Sequence, residues 1–405
     1  LTMALMKKVA KRHNFKVLLQ EKPFDGINGS GKHNNWSLLT DTGVNLLAPG
    51  KNPKGNLQFL VFLVSTIKAV YEHSDLLRAS VASHGNEHRF GANEAPPSII
   101  SVFLGSQLTK LLDQLEKEVP EDKMTPDEKT QLKLNVGKIP EILLDNTDRN
   151  RTSPFAYTGN RFESRGVGSS INCASPMIVL NTAVADQLEE FKKETDKHVN
   201  DGLKKDEAMF RVIRKFITES KDIRFEGDGY SPEWEEMAQK RGLSNISSGP
   251  QALKAYVSKK SLDLFERTGV LTREESQARY LIRLEMYQKN IQIESRVMGD
   301  LVINHVLPTA LRYQNTIIQN VQGLKELFDE GNYMDVAGGK LDTIKRIARH
   351  TSIIRTKVPE MINERKKANK IEDIEEKSAY YAEKIRSMIE EIRYHVDKLE
   401  LIIDD

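Results

Sequence analysis

The sequence has little of several features that would assign it to a class at once. It holds one cysteine, Cys173, among 405 residues, which excludes an internal disulfide framework and fits a reducing compartment. Because no motif surrounds Cys173, we expect a small buried apolar residue there. The longest apolar run, Leu57 to Val64, is interrupted by Gln58 and is far shorter than the roughly 20 residues of a transmembrane helix.

The chain also lacks a strong excess of charge of one sign. It contains 60 Lys and Arg residues against 58 Asp and Glu residues, so no large net field attracts nucleic acid or an anionic membrane. We therefore expect a soluble, cytoplasmic protein that binds neither. The length of 405 residues predicts two domains, since domains usually run to about 100–200 residues.

The start of the chain predicts an amphipathic helix that is already under way. Leu1 to Arg12 shows helical periodicity without an N-cap residue before it and without a signal-peptide cleavage pattern. We therefore expect further residues upstream of this sequence.

The character of the chain changes near residue 186. Residues 1–185 mix short apolar runs with Gly, Asn and Pro, and predict strands at Lys16 to Gln20 and at Ile99 to Leu104. Apolar residues from Leu57 to Tyr71 recur at spacings of three and four, which predicts a helix. The first part is therefore α+β, and residues 186–405 are predicted to be helical.

Several local signals support helices in the second part. Thr272 and Glu275 form a capping box at the start of a predicted helix. Pro308 should stop or kink that helix. Ser231 with Pro232 predicts a short helix from Glu233. One long terminal helix is predicted from a stripe comprising Tyr381, Ile385, Met388, Ile392, Val396, Leu399 and Ile403.

The first motif that carries chemistry is Asp25 to Ser37 (DGINGSGKHNNWS). Gly26 to Lys32 fits the first seven positions of a P-loop, G-x-x-x-x-G-K. The next residue is His33, where a P-loop needs a Ser or Thr, and the residues after it predict a strand rather than a helix. The alternative is a glycine-rich loop that approaches a small ligand while His33 offers a nitrogen to a metal.

Two further motifs follow. Arg89 to Pro97 (RFGANEAPP) predicts a shaped loop, either functional or simply exposed. If residues 161–165 form a strand, Arg161, Glu163 and Arg165 share one face, which is an arrangement that a structural ion-pair ladder also produces.

Together the three motifs resemble the glutamine synthetases. Asn28 to His33 is similar to the signature N-G-S-G-x-H, Arg89 to Pro97 to a Glu-Ala-Pro flap segment, and Arg161 to Arg165 to an R-x-E-x-R element preceded by an Asn-Arg loop. They occur in family order, and the helical second part resembles the C-terminal extension of the type III class. The resemblance implies domains at 1–185, the C-terminal part of the catalytic domain, and 186–405, the extension.

The resemblance also implies residue roles. His33 and Glu163 would bind the metal ion that bridges the ATP phosphates, and Arg165 would bind the γ-carboxyl or phosphoryl group. The other implied residues are Asn28, Gly29 and Arg89 for glutamate, Asn35, Ser37, Arg151 and Arg161 for ATP, and Glu94 as a catalytic flap residue.

This sequence departs from the commoner family pattern at two places. Arg89 lies one residue nearer to Glu94, a spacing that type III enzymes show and that leaves His88 as a possible substitute for Arg89. Asn93 replaces an aromatic residue. No arginine follows Arg151 at the position where the commoner enzymes have a second phosphate-binding arginine, so the role of that second arginine stays unassigned.

The implied activity is the ATP-dependent ligation of ammonia to the γ-carboxyl of L-glutamate through γ-glutamyl phosphate, with Mg²⁺ or Mn²⁺. The implied fold is a mostly antiparallel active-site sheet backed by helices and followed by a helical extension, in a homo-oligomer of two six-membered rings. Because only two metal ligands are recognisable, we expect this segment alone to be inactive. A P-loop-like nucleotide hydrolase and a degenerate, non-catalytic helical interaction protein are the alternatives, the second opposed by the retained catalytic residues.

Overall fold

The computed structural model describes residues 1–19, 31–90, 98–120, 124–137, 153–168 and 171–403. The chain divides into two compact units, Leu1–Tyr280 and Leu281–Asp405. The boundary near residue 186 lies within a helix of the first unit, Ala174–Asn200. That boundary was predicted from a change in the character of the sequence, and it stays a prediction.

A small four-stranded sheet lies in the first unit. Its strands are β1 (Asn34–Trp36), β2 (Val102–Phe103), β3 (Phe155–Tyr157) and β4 (Phe162–Ser164). The order is β1-β4-β3-β2, with β1 and β3 antiparallel to β4 and β2 parallel to β3. The fold is therefore α+β, as predicted, with two of three pairings antiparallel.

The first unit also contains most of the described α-helices of the chain. They are α1 (Thr2–Arg12), α2 (Pro53–Glu72), α3 (Ser74–Ser80), α4 (Ser106–Glu118), α5 (Pro126–Gly137), α6 (Ala174–Asn200), α7 (Lys205–Glu219), α8 (Pro232–Lys240), α9 (Gly249–Leu253), α10 (Lys259–Arg267) and α11 (Arg273–Leu301), which continues into the second unit.

The predicted stripe on α2 is buried, and the core side of the sheet is aromatic. Leu60, Val64 and Ile67 are all inaccessible or nearly so. Phe162 stacks on Phe155 with ring centroids 4.6 Å apart. Apolar burial on α2 and aromatic packing on β3 and β4 therefore hold the sheet in place.

The local helix signals are confirmed. The Ser231 side chain accepts a hydrogen bond from the Trp234 backbone N–H at the start of α8. Before α11, Thr272 N–H donates to the Glu275 carboxylate at 2.8 Å, and Glu275 N–H donates to Thr272 Oγ1 at 3.1 Å. These reciprocal bonds satisfy donors that would otherwise lack partners in the first turn.

The second unit is helical throughout its described part. After α11 come a π-helical turn (Val302–Val306), α12 (Leu307–Leu327), α13 (Glu330–Ala368), α14 (Ile374–Tyr380), a second π-helical turn (Tyr381–Ile385) and α15 (Arg386–Glu400). Pro308 lies in the first turn of α12, directly after the π-helical turn. The helix does not stop at Pro308: the helix type changes in the residues before it, and a kink there stays a prediction.

The apolar stripe of the terminal helix is also confirmed. Tyr381, Ile385, Ile392 and Leu399 are completely buried. Among the described residues, no helix combines the length and the apolar character that crossing a membrane requires.

Two local predictions are wrong. Lys16 to Leu19 form no strand, and no described strand pairs with them; Gln20 lies outside the described residues. A short apolar run without a neighbouring strand leaves its backbone groups unpaired, so it does not become a strand. Cys173 is exposed rather than buried, because it lies at the N-terminal end of α6 and not on that helix's packed face.

Candidate functional site

The two residues predicted to share a metal lie on neighbouring strands. His33 directly precedes β1, and Glu163 is the central residue of β4, opposite Asn35 in the register. His33 Nδ1 and Glu163 Oε1 are 2.9 Å apart. The predicted proximity of these side chains is therefore confirmed, and their role as metal ligands stays a prediction.

The Glu163 carboxylate lies between the side chains of His33 and Arg165. Its second oxygen, Oε2, accepts a hydrogen bond from Arg165 Nε at 3.4 Å. The hydrogen bond with His33 is the largest cause that lowers the pKa of Glu163, and the Arg165 charge adds to it against the opposing effect of burial. Glu163 is therefore a carboxylate at neutral pH, which is the form that binds a cation.

Arg165 is held in place by the backbone behind it. Its side chain is 4% exposed, and its backbone N–H donates to the Pro154 carbonyl at 2.8 Å. Arg89, also fully buried, donates from Nη2 to the Arg165 carbonyl at 2.9 Å. Arg89 and Arg165 therefore belong to one buried cluster, although they lie 76 positions apart in sequence.

The His33 and Glu163 pair fits a divalent ion by distance. Ligand bonds of about 2.1 Å at right angles place two ligand atoms about 3 Å apart. The observed separation of 2.9 Å matches this value. Among the described residues, no group of three or more His, Cys, Asp or Glu side chains could hold a metal, so the pair is at most a partial ligand set.

The described residues among those predicted to contact ATP differ in their exposure and in their contacts. Asn35 is exposed and faces the same side of the sheet as Glu163, because the two are directly paired. Ser37 Oγ contacts Asn45 Oδ1 at 3.0 Å and the Asn160 carbonyl at 2.9 Å, so this hydroxyl ties two loops together. Arg161 is exposed, next to β4.

Four predicted site residues lie outside the described residues. They are Asn28, Gly29, Glu94 and Arg151. The same holds for Lys22, Pro23 and most of the glycine-rich segment, and the side chain of His88 is not described.

The P-loop alternative is wrong. A P-loop needs a helix that begins at its lysine, but Gly31 to His33 are irregular and the chain enters β1 at Asn34. Lys32 donates instead to the Ile171 carbonyl at 2.6 Å, which anchors the segment beside the start of α6.

Sequence reasoning missed the residues that position β1. Asn34 Nδ2 donates to the Cys173 carbonyl at 3.3 Å, and Trp36 Nε1 donates to Asn181 Oδ1 at 2.8 Å. Trp36 and Asn34 are buried on the face opposite to Asn35. The sequence NNW carries no alternation of polar and apolar residues that could have indicated this, because Asn34 and Asn35 are both polar.

A cavity of about 500 Å³ lies elsewhere in the first unit, between α2, α6, α7 and α10. Its charged lining residues largely compensate one another. Lys68 contacts Glu72 at 2.7 Å and Glu219 at 3.0 Å, and Arg267 contacts Asp186 at 2.5 Å. These charges are already satisfied within the protein, so the cavity offers little to select a charged ligand.

Comparison with known proteins finds two family models that match separate parts of the chain. Residues 1–100 match "Glutamine synthetase, catalytic domain", and residues 208–325 match "Glutamine synthetase C-terminal domain". The first match contains β1, and the second begins within α7.

Three relatives match the whole chain. A protein of Bacteroides fragilis (strain YCH46) named glutamine synthetase is 53% identical, and one of Butyrivibrio fibrisolvens with the same name is 39% identical. A protein of Dictyostelium discoideum named type-3 glutamine synthetase is 37% identical. All of this chain is covered in each case, but the chain spans only 56%, 56% and 54% of the respective relatives. The chain belongs to the glutamine synthetase family.

Proposed function

We propose that this chain carries part of the active site of an ATP-dependent glutamate–ammonia ligase, in which ammonia displaces phosphate from γ-glutamyl phosphate. The observation that supports this most is the contact of 2.9 Å between His33 and Glu163, with Arg165 on the other oxygen of the same carboxylate. The residues proposed to ligate the metal and to bind phosphate are therefore adjacent, in a chain whose relatives carry that enzyme's name.

In this proposal His33 and Glu163 hold one Mg²⁺ or Mn²⁺ ion. When bound, the ion neutralises oxygens of the ATP phosphates during phosphoryl transfer. A hard divalent ion takes about six oxygen or nitrogen ligands, so two side chains are too few. The remaining ligands would come from parts of the protein outside the described residues.

Arg165 is proposed to bind the transferring phosphoryl group or the γ-carboxyl group. A guanidinium presents paired N–H donors that match carboxylate and phosphate oxygens. Burial of its stem and the contact with Glu163 restrict its orientation, so the group is positioned before substrate arrives. Arg89 supports the backbone of Arg165 and is also proposed to bind the glutamate carboxylate.

The remaining roles follow from the family. Asn28 and Gly29 would contact glutamate, and Glu94 would close a flap that keeps water from the acyl phosphate. The nucleotide would be contacted by Asn35, Ser37, Arg151 and Arg161. A cytoplasmic homo-oligomer of two six-membered rings belongs to the same proposal, as does inactivity of residues 1–405 alone.

A chimera tests the activity directly. Residues 1–405 replace the matching 56% of the Bacteroides fragilis relative, and ATP-dependent glutamine formation is measured for the chimera and for residues 1–405 alone. We expect activity in the chimera and none in the shorter chain. Equal activity in both would show that carboxylates within this chain complete the metal site.

The metal role has its own test in the same chimera. Glu163→Gln removes the carboxylate charge but keeps the side-chain shape, and we expect Mn²⁺ affinity, measured by electron paramagnetic resonance, to fall at least about tenfold. The matched control is Glu189→Gln, which removes a carboxylate that is 73% exposed. Equal Mn²⁺ affinity in the two variants would refute the assignment of Glu163.

A further inference from the structure

Two histidines meet inside the helical unit of residues 281–405. The Nδ1 atoms of His350 on α13 and His395 on α15 lie 2.8 Å apart, and the ring centroids are 5.1 Å apart. Both residues are half-buried. A contact of this length requires one ring to donate its Nδ1–H and the other to accept at an unprotonated Nδ1. The contact can therefore persist only while at least one ring is neutral.

The pair lies within the packed interface between the two helices. Along each helix, the apolar residues three or four positions away from the histidine are completely buried in one core. These flanking residues are Ile347, Ile354, Ile392 and Leu399. Movement of the rings away from each other would therefore disturb the apolar layers on both sides.

The charged groups that act on His350 are cations. Burial is the largest cause that lowers its pKa, followed by the charges of His395, Arg349, Arg346 and Lys398. They come from both helices of the interface. From α12, which also packs on α13, the side chains in this core are uncharged: Leu307, Ala310, Tyr313 and Ile317.

The other neighbours on α15 include an aromatic ring and two carboxylates that are paired with cations; one of these carboxylates, Glu391, contacts Lys357 of α13 at 3.2 Å. The Tyr394 ring packs edge-on against His395 at 5.2 Å, and Lys398 Nζ lies 5.3 Å from the Tyr394 centroid. The Asp397 carboxylate contacts Arg393 at 3.6 Å. The neighbouring cations also disfavour a divalent metal at the two Nδ1 atoms, so the proton is the ligand that fits this pair.

We propose that His350 and His395 form a pH-sensitive contact that weakens the pairing of α13 with α15 when both rings become protonated. Two imidazolium rings would direct N–H groups at each other across 2.8 Å, amid three further cations. The rings must then separate, and the interface opens locally.

The direction of the pH dependence follows from linkage. The folded-state pKa of His350 lies below its ordinary value of about 6.5, so the unfolded segment binds a proton more readily than the folded one. The contribution of the pair is therefore fully present above about pH 6.5 and is lost as the pH falls below that value.

Hydrogen exchange of the intact chain, read by mass spectrometry at about pH 7.5 and about pH 5.5 and corrected for the intrinsic rate, tests this. We expect peptides within 345–361 and 386–399 to lose protection at least about threefold at the lower pH, relative to α2 peptides. Aspartate and glutamate titrate near about pH 4, so they do not account for a change in this range.

The variant His350→Gln/His395→Gln keeps polar side chains that do not titrate, and we expect it to remove the pH dependence. The control is His305→Gln, since His305 is exposed and is the only other histidine in residues 281–405. If the double variant does not fold, His350→Gln alone serves, because it removes the ring whose pKa is lowered in the folded chain and also prevents double protonation. Equal protection of the wild-type peptides at both pH values overturns the proposal. A loss of protection at the lower pH that persists in a folded variant also overturns the proposal.

Discussion

Phe162 connects the stability of the first unit to the geometry of its site. Its side chain is completely buried, stacked on Phe155 at 4.6 Å and edge-on to Tyr157 at 5.3 Å. It directly precedes Glu163 on β4. Phe162→Ala should lower the free energy of unfolding by about 3–5 kcal/mol, since it removes a buried ring and leaves a cavity. Phe162→Leu keeps most of the volume and should cost about 1–2 kcal/mol, mainly through lost aromatic pairing.

Urea denaturation followed by tryptophan fluorescence measures this loss. Both tryptophans, Trp36 and Trp234, lie in the unit Leu1–Tyr280, and Trp36 pairs with Phe162 in the sheet. With an m value of about 2 kcal/mol/M, a loss of about 4 kcal/mol moves the midpoint by about 2 M. The control is Phe15→Ala, where the ring is 74% exposed and the expected change stays within about 0.5 kcal/mol. A shift for Phe162→Ala no larger than that of Phe15→Ala would refute the packing argument.

Two further outcomes are expected. In the active chimera, Arg165→Ala should reduce the rate of glutamine formation by a factor of order 10²–10³, because it deletes the charge that is proposed to face the phosphoryl group; near-normal turnover would exclude that role. Burial opposes ionisation of Glu72, but hydrogen bonds from Lys260 and Lys68 lower its pKa to about 2. Its ionised form therefore stabilises the folded chain above about pH 4.5, and this contribution disappears as the pH falls toward 2. The urea midpoints of wild type and Glu72→Gln should converge over that range, and a difference that is independent of pH would contradict the assignment.

Features that depend on neighbours in sequence were predictable. The capping box of Thr272 and Glu275, the helix start at Ser231 and the stripe from Tyr381 to Ile403 all rest on spacings of three or four residues, which helical geometry imposes locally. Each is present in the structure. The alternation that places Glu163 and Arg165 on one face of β4 is local in the same sense, and the two side chains are in contact.

Contacts between distant segments were predictable only in part. The family motifs indicated that His33 and Glu163 would meet, although they lie 130 positions apart, because family signatures preserve residues that meet in space. No spacing rule could predict that Lys16 to Leu19 pair with none of the described strands, that Cys173 is exposed, or that His350 contacts His395.

The sequence by itself determined the helices, their caps, the α+β class and the identities of the two adjacent metal-ligand candidates. Only the tertiary structure decided that β1 and β4 pair in the register that brings His33 to Glu163, and that Arg89 lies behind Arg165. It also decided which charges compensate one another and which two histidines share a packed interface. The physical reason is that helix caps and amphipathic stripes depend on local backbone geometry, whereas strand pairing, burial and the electrostatic surroundings of a side chain depend on residues far away in sequence.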